Sequence, residues 1–236
     1  MKNRFNTKTL VTLGMFCAIA YVLMYISRFL PAIAAGFLKY DPKDIIIVIC
    51  GFIFGPLPAV LVSTVVAVVE MITISTTGWI GMIMNILASA SFACTASAIY
   101  KRKHTLSGAV IGLITACIVT TSLMLLWNYI MTPIYQGVPR AVVADMLIPV
   151  FLPFNLVKTV ANASFAMMLY KPLVSSLRKA KLVNLSSGNV DNSNNANMRV
   201  YDDSNTKSIN KFSIYALSIL ALVSCVLIVL VINGVI

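Results

Sequence analysis

The sequence predicts an all-α integral membrane protein with six transmembrane helices and one further C-terminal transmembrane helix. Of its 236 residues, 59% are hydrophobic and only 11% are charged, which leaves too little polar surface to cover a soluble domain. The apolar residues form separate runs, most of them near the roughly 20 residues that a helix needs to cross a bilayer. The basic residues collect between these runs, so the net charge of +11 indicates membrane topology rather than nucleic-acid binding.

The first apolar run, about residues 10 to 30, predicts the first transmembrane helix. It is longer than a typical signal-peptide core, and no clear small-residue cleavage site follows it. Within it, Gly14 and Ala18 form a small-xxx-small pair. Such a pair lets another helix approach closely, and that helix could belong to this chain or to a partner.

The next segment, 31–43, mixes apolar, aromatic and charged residues and predicts an exposed, ordered loop near the membrane surface. A second run, 44–54, is separated from a third, 59–75, by the turn sequence Gly-Pro-Leu-Pro at 55–58. The third run carries Glu70, which either is buried in the membrane or reaches its interface.

The fourth run, about 78–100, is rich in small residues, which favours close helix packing in lipid. It also carries Asn85, whose amide could face a binding site. The fifth run, about 106–131, ends with Asn128 and Tyr129 among its last residues.

The sixth run, about 145–170, contains three polar side chains in its middle: Asn155, Lys158 and Asn162. On a helix that advances about 100° per residue, these positions share one narrow stripe. A lysine near the membrane centre costs roughly 2.5 to 3.5 kcal/mol on insertion scales, so it persists where a partner, water or ligand meets it. The stripe is therefore expected to face the protein interior.

Residues 182–210 are rich in asparagine and serine and predict a flexible linker without a core of its own. Residues 211–236 are again apolar and predict the additional C-terminal transmembrane helix. Residues 1–181 would then form the six-helix membrane domain.

Basic clusters at the N-terminus, at 101–103 and at 171–181 all fall on one side of a six-helix arrangement. The positive-inside rule places that side, with the N-terminus, in the cytoplasm of a multi-pass protein of the cell membrane. The loops at 31–43 and 132–144 would then be extracellular, and a site between them would open outward.

The sequence contains no GxxxxGK[ST] loop to bind ATP and no HExxH or comparable metal-ligand cluster. Neither catalysis nor a bound metal or other cofactor is expected. The outward side instead collects amide, lysine and aromatic side chains: Phe37, Tyr40, Asn128, Tyr129, Tyr135, Asn155 and Lys158. Amides donate and accept hydrogen bonds, lysine donates, and apolar walls desolvate a flat ligand, so the set suits a planar heterocycle with imide and carbonyl groups.

Two stretches resemble a known family: Phe-Leu-Lys-Tyr-Asp-Pro-Lys-Asp at 37–44 and Leu-Pro-Phe-Asn-Leu-Val-Lys at 152–158. Together with Gly-Phe-Ile-Phe-Gly-Pro at 51–56 and Asn-Tyr at 128–129, they are similar to the riboflavin-binding S component of energy-coupling factor (ECF) transporters. The resemblance covers about residues 5–175 and leaves the linker and the seventh helix outside the family's six-helix pattern.

The resemblance implies a six-helix subunit that captures riboflavin from outside the cell, with the first loop as a lid. It implies that the residues matching Asn128, Asn155 and Lys158 hold the polar edge of the ring. Together with the residues singled out above, the expected riboflavin ligands are Asn128, Asn155, Lys158, Tyr40, Leu38, Phe37, Asn85 and Tyr129. Energy would come from separate partners, a transmembrane scaffold subunit and two ATPase subunits. Gly14 and Ala18 match the Ala-x-x-x-Ala surface that docks on the scaffold in this family, with glycine in place of the first alanine.

Three other interpretations remain open from the sequence. The polar side chains of the sixth helix could simply bond one another and Glu70. The same fold could bind a different vitamin or related heterocycle. A small integral membrane enzyme is the third alternative, although the chain shows no paired nucleophile and base.

Overall fold

The described residues of the computed structural model are 7–29, 39–103, 105–179, 218–226 and 229, and their regular structure is entirely helical. The helices are α1 Thr7–Ser27, α2 Lys43–Phe54, α3 Pro56–Thr73, α4 Gly78–Lys103, α5 Leu106–Gln136, α6 Arg140–Met146 and α7 Leu152–Lys179, with a π-helical turn at Leu147–Phe151 joining the last two. Residues 218–226 form a further helical stretch. The predicted linker at 182–210 lies outside the described residues.

Five helical segments within the described ranges are long and apolar enough to cross a membrane: Thr7–Ser27, Pro56–Thr73, Gly78–Lys103, Ser107–Gln136 and Arg140–Tyr170. The predicted class, an all-α integral membrane protein, is confirmed. Helix α2 has only 12 residues, or about 18 Å at 1.5 Å per residue, and is shorter than the bilayer core.

Helix α2 forms the centre of the bundle. All 12 of its residues are buried, and it packs against α1, α3, α4 and α7. A helix that is apolar on every side is stable only when surrounded. Its end is set by Gly55, whose φ of 95° favours glycine and whose N–H bonds the Gly51 carbonyl at 2.8 Å; Pro56 then occupies the first turn of α3.

Small residues bring the helices of this bundle close together, as the composition of the fourth run predicts. A Cβ added at Gly51 would lie 3.1 Å from the Cβ of Ser97 on α4. One added at Gly112 would lie 2.7 Å from the carbonyl oxygen of Ala96. Any larger side chain at these two positions would push α4 away from its neighbours, so the glycines fix the helix spacing.

The connection between α5 and α7 differs from the predicted loop at 132–144. Helix α5 continues through Pro133 to Gln136 and ends at Gly137, whose φ is 66°. Helix α6 begins at Arg140, so the prediction of a long loop is wrong and only a short turn is non-helical. The π-helical turn contains Pro149, which has no N–H to donate, and the Leu152 N–H closes it on the Leu147 carbonyl.

The C-terminal ends of α1 and α3 meet at one end of the bundle. The Tyr21 hydroxyl donates to Thr73 Oγ1 at 3.0 Å, and the Arg28 guanidinium donates to the Ile74 carbonyl. A cleft of about 620 Å³ opens beside them and is lined by residues that include Tyr25 and Lys39. The described part of the first loop, 39–42, therefore enters the bundle from this end.

Candidate functional site

The polar stripe of α7 is buried, as the sequence predicts. Asn155 and Asn162 are buried, and the Lys158 side chain is only 15% exposed. The Asn155 amide donates to the Phe151 carbonyl at 2.8 Å. That carbonyl precedes the start of α7 at Leu152, so the bond links α7 to the π-helical turn.

Asn162 ties the first loop to α7. Its Nδ2 donates to the Asp41 carbonyl at 3.2 Å and to Asp44 Oδ2 at 3.3 Å. Its Oδ1 accepts a hydrogen bond from the Tyr40 hydroxyl at 2.6 Å. All the amide's polar atoms are thus used across more than a hundred residues of sequence, and the loop is held against the middle of α7.

Burial and neighbouring charges shift the pKa values of two side chains in this loop, Tyr40 and Asp41. Burial, together with the charges of Asp44 and Asp41, raises the pKa of the Tyr40 phenol, which keeps the hydroxyl protonated as the donor that Asn162 requires. Burial acts to raise the pKa of Asp41, but the Lys43 and Lys158 charges outweigh it and hold that pKa below its ordinary value. Asp41 is therefore ionised beside two lysines.

Lys43 is the main residue that the sequence reasoning missed. The sequence predicts an exposed loop up to this position, yet Lys43 is 1% exposed, so that expectation is wrong at the loop's C-terminal end. The Lys43 ammonium lies 2.6 Å from Asp41 Oδ2 and 2.6 Å from Glu70 Oε2. The available signal was Glu70 itself, since a carboxylate within an apolar run requires a cation nearby.

Asn85 belongs to the same network and not to a free amide surface. Its Nδ2 donates to Glu70 Oε1 at 2.8 Å, so both carboxylate oxygens of Glu70 have partners. One helical turn further along α4, the Ser89 hydroxyl donates to Asp44 Oδ1. Helix α4 thereby contacts both Glu70, which pairs with Lys43, and Asp44, which faces Lys158.

The ammonium of Lys158 lies farther from its carboxylate partner than the ammonium of Lys43 does. Its ammonium lies 3.7 Å from Asp44 Oδ2, which is longer than the 2.7 to 2.9 Å of a good charge-assisted hydrogen bond. Asp44 is already supplied with hydrogen bonds by Ser89 and Asn162. The geometry leaves the donors of Lys158 free to turn toward a further acceptor while the Asp44 charge still balances the ammonium.

Asn128 is buried on α5, with partners inside its own helix. Its Nδ2 donates to the Met124 carbonyl at 2.7 Å, and the Thr132 hydroxyl donates to its Oδ1 at 3.1 Å. The structure thus brings Asn128 into the core, but its hydrogen bonds to described residues stay within α5. Tyr129, the next residue, is 39% exposed and lies on the outer side of the helix.

In the described part of the chain, two buried side-chain polar atoms lack a hydrogen-bond partner: Thr121 Oγ1 and Trp127 Nε1. Thr121 stands out because several other threonines in these helices bond the carbonyl four residues earlier, as Thr115 does to Ile111 at 2.8 Å. Thr121 and Asn128 are seven residues apart, so they share one face of α5. A buried hydroxyl without a partner is costly, so this face of α5 carries an unused donor as well as Asn128.

The remaining predicted ligands, Phe37 and Leu38, lie outside the described residues. The predicted docking residues are described: Gly14 and Ala18 are both exposed on α1, and a Cβ built on Gly14 meets nothing within 4 Å. Among the described residues nothing covers this pair on α1, and its docking role stays a prediction.

Comparison with known proteins places these features in a family. The family model described as "ECF transporter, substrate-specific component" matches residues 8–170. The riboflavin transporter RibU of Staphylococcus aureus (strain TCH60) is 31% identical over 183 residues, which cover 75% of this chain and 96% of that protein. The riboflavin transporter FmnP of Bacillus subtilis (strain 168) is 25% identical over 194 residues, with 75% of this chain and 99% of that protein covered.

A solved structure of the S component of a bacterial ECF transporter has the same fold. It is 31% identical in sequence, superimposes with a TM-score of 0.61, and the match covers 72% of this chain and 96% of that one. The similarity includes the bundle that carries the α7 stripe and leaves the C-terminal residues beyond 170 outside the family match.

Proposed function

This chain belongs to the family of ECF transporter substrate-specific components, and from that premise we propose that it binds riboflavin from the extracellular side for ATP-driven uptake. Its family makes it a transporter component and not an enzyme. The observation that carries the proposal is the buried stripe of α7, where Lys158 retains free donor capacity beside Asn155. Its similarity to two riboflavin transporters supports the choice of ligand.

The chemistry of riboflavin fits this stripe. The polar edge of its isoalloxazine ring carries an imide N–H between two carbonyls, so it needs donors and an acceptor in one plane. Lys158 can donate to a carbonyl, while the Asn155 and Asn128 amides can each donate and accept. We propose that the eight residues expected from the sequence form or support the site. Asn85 acts on it through Glu70, and Tyr40 supports it through its bond to Asn162.

For the architecture, we propose six transmembrane segments within residues 1–181, with the short α2 as the second. The polar stretch at 182–210 would link them to an additional transmembrane helix at 211–236. The N-terminus would be cytoplasmic, because the basic clusters then lie inside. This orientation places the end of the bundle where loop 39–42 enters on the outside, so the site opens to riboflavin in the medium.

For partners, we propose a transmembrane scaffold subunit and two ATPase subunits. A chain that only binds cannot move its ligand uphill, so an ATP-driven partner must favour the outward-facing and inward-facing states in turn. Gly14 and Ala18 would form the contact with the scaffold, because their exposed, small surface on α1 lets another helix approach.

Replacing Gly14 with Leu should separate docking from binding. The added side chain meets open space within the chain, so riboflavin affinity should stay within about twofold, while assembly with the scaffold should be lost because close helix approach is blocked. Co-purification of the tagged chain with its partners measures this, and Val65→Leu, at an exposed position on α3, is the matched control. Loss of riboflavin affinity with intact assembly would refute the docking role.

Replacing Thr121 with Val should have opposite effects on binding and stability. The change removes a buried hydroxyl that lacks a partner at nearly constant volume, so the thermal stability of the ligand-free protein should not fall. If the hydroxyl serves the ligand, riboflavin affinity should fall by about fivefold to tenfold, the value of one neutral hydrogen bond. Thr115→Val, whose hydroxyl already bonds Ile111, is the control, and unchanged affinity in Thr121→Val would exclude this contact.

Uptake tests the proposed function as a whole. The chain, co-expressed with a scaffold subunit and two ATPases in a riboflavin-requiring host without its own importer, should support growth on low riboflavin. A variant ATPase that cannot hydrolyse ATP should abolish that growth. Growth that depends on a different vitamin, with none on riboflavin, would assign the chain another ligand.

A further inference from the structure

The charged side chains at the polar stripe form a buried ionic network with an excess of negative charge. The network consists of three carboxyl groups and two ammonium groups, those of Asp41, Lys43, Asp44, Glu70 and Lys158. The side chains of Lys43 and Asp44 are 1% and 5% exposed, and the other three are 10% to 15% exposed. When all five groups are ionised, one negative charge is left without a cation. Burying such a charge is costly.

The hydrogen bonds of the buried ionic network favour the ionised form of all three carboxyl groups. Each of their six oxygens faces a donor. The contacts are those of Lys43 with Asp41 and Glu70, of Asn85 with Glu70, and of Ser89 and Asn162 with Asp44. Donors that point at a carboxylate stabilise its charged form. The network therefore carries its excess charge in this arrangement, with water reaching its partly exposed side chains.

The surroundings of the network supply no further buried cation within the described ranges. Helix α4 faces it with two uncharged side chains, Asn85 and Ser89. The Tyr40 phenol next to it is protonated and neutral, as its bond to Asn162 requires. Arg28 and Lys39, at the end of the bundle where the loop enters, are both exposed, and water and salt screen such charges. The excess charge thus depends on solvation, which a bound ligand would reduce.

We propose that the buried ionic network takes up one proton from water when riboflavin binds, so that the proton is a second ligand of this site. The inference rests on the proposed function. Riboflavin beside Lys158 would draw the ammonium toward a ring carbonyl and exclude water from this side of the network. A carboxylate that loses water and part of its cation contact is stabilised by a proton. Because the carboxyl groups interact, the proton belongs to the network and not to one residue.

The proposal fixes the sign of the pH dependence. The complex holds a proton that the free chain lacks, so lowering the pH favours binding and raising the pH opposes it. For one proton, the affinity changes by up to about tenfold per unit of pH. Riboflavin itself is unchanged in the step, and the proton returns to water when the ligand leaves.

Calorimetry counts the proton directly. Riboflavin is titrated into the full-length chain in nanodiscs at neutral pH, in several buffers of different ionisation enthalpy. The slope of the observed binding enthalpy against the ionisation enthalpy of the buffer gives the protons taken up per riboflavin, and we expect about one. A slope of zero alongside saturable binding would overturn the inference. If the wild-type chain binds no riboflavin, the proposed function fails and this inference fails with it.

Two substitutions on different helices test whether the charge count is the cause. Asp44→Asn and Glu70→Gln each remove one negative charge at nearly constant shape, which leaves two carboxylates for two lysines. Proton uptake should therefore disappear in both variants. Asp145→Asn, at an exposed position on α6, is the matched control and should keep the uptake of the wild type. Undiminished uptake in Asp44→Asn and Glu70→Gln would assign the proton to another group and refute the proposal.

A measurement on the unsubstituted chain covers the case in which these variants fold poorly. The wild-type affinity, from flavin fluorescence quenching, should be several times higher at about pH 6 than at about pH 8. Equal affinities at the two pH values, with the chain folded at both, would contradict proton uptake.

Discussion

Replacing Lys43 with Met should destabilise the folded protein by about 3 to 5 kcal/mol, the cost of leaving buried charges without their partner. Lys43 lies 2.6 Å from both Asp41 and Glu70. Without it, Asp41 and Glu70 face each other across the core with no cation between them, and loop 39–42 loses its anchor. Thermal unfolding of the detergent-purified variant, followed by size-exclusion chromatography, should show a greatly lowered midpoint and loss of riboflavin binding.

Lys39→Met is the matched control for Lys43, because Lys39 is exposed four residues earlier in the same loop. It should unfold like the wild type. The double variant Lys43→Met/Glu70→Gln should recover part of the loss, since it removes one unpaired charge together with its partner. An unfolding midpoint for Lys43→Met equal to that of Lys39→Met would show that the ion pairs do not hold the loop.

Replacing Lys158 with Met should weaken riboflavin binding by about 10-fold to 100-fold while the chain still folds. A hydrogen bond from a charged donor contributes roughly 1.5 to 3 kcal/mol, which corresponds to that loss. The fold should tolerate the change because Asp44 keeps its bonds to Ser89 and Asn162. Its contact to Lys158, at 3.7 Å, is also longer than the two 2.6 Å contacts of Lys43. Fluorescence titration gives the affinity and chromatography the folded fraction.

The control for Lys158 is Leu156→Met on the same helix, whose side chain is 41% exposed and faces away from the stripe. Its affinity should match that of the wild type. Lys158→Met with normal yield and wild-type affinity would reduce Lys158 to a counter-ion of Asp44. The two variants thus separate two proposed roles: Lys43 supports the fold, and Lys158 binds the ligand.

The α7 stripe could be predicted from the sequence because both its signals are local. Polar residues inside an apolar run can be recognised in the sequence itself, and helix geometry gives their common face. The role of Lys43 could not be predicted in this way. Its partner Glu70 is 27 positions away, and a lysine after Asp-Pro is equally compatible with an exposed loop.

The helix boundaries, too, could be predicted only in part from the sequence. Gly55 was correctly predicted to end the second run, because a positive φ requires glycine. The long loop expected at 132–144 was wrong, because α5 continues to Gln136 and α6 begins at Arg140. Pro133 lies inside α5, and the π-helical turn accommodates Pro149 without ending the segment. Proline alone does not show whether a membrane helix stops or only bends.

The packing of the C-terminal stretch was also beyond the sequence. Residues 211–236 could be predicted as apolar and long enough to span a membrane. Which side of the stretch contacts α7, and at which height, depends on Cys225 meeting Val157 and Ala161. These are small or branched apolar residues that look the same whether they face protein or lipid.

Fluorescence titration of riboflavin with the detergent-purified, full-length chain tests the central claim most directly. Binding between the polar stripe and the aromatic side chains should quench the flavin. The account predicts saturable quenching at one riboflavin per chain. An excess of a non-fluorescent flavin analogue should reverse the quenching, and Lys158→Met should weaken it. A monodisperse, folded chain that leaves riboflavin fluorescence unchanged at every concentration would contradict it, and the roles of Asn128, Asn155 and Lys158 would fall with it.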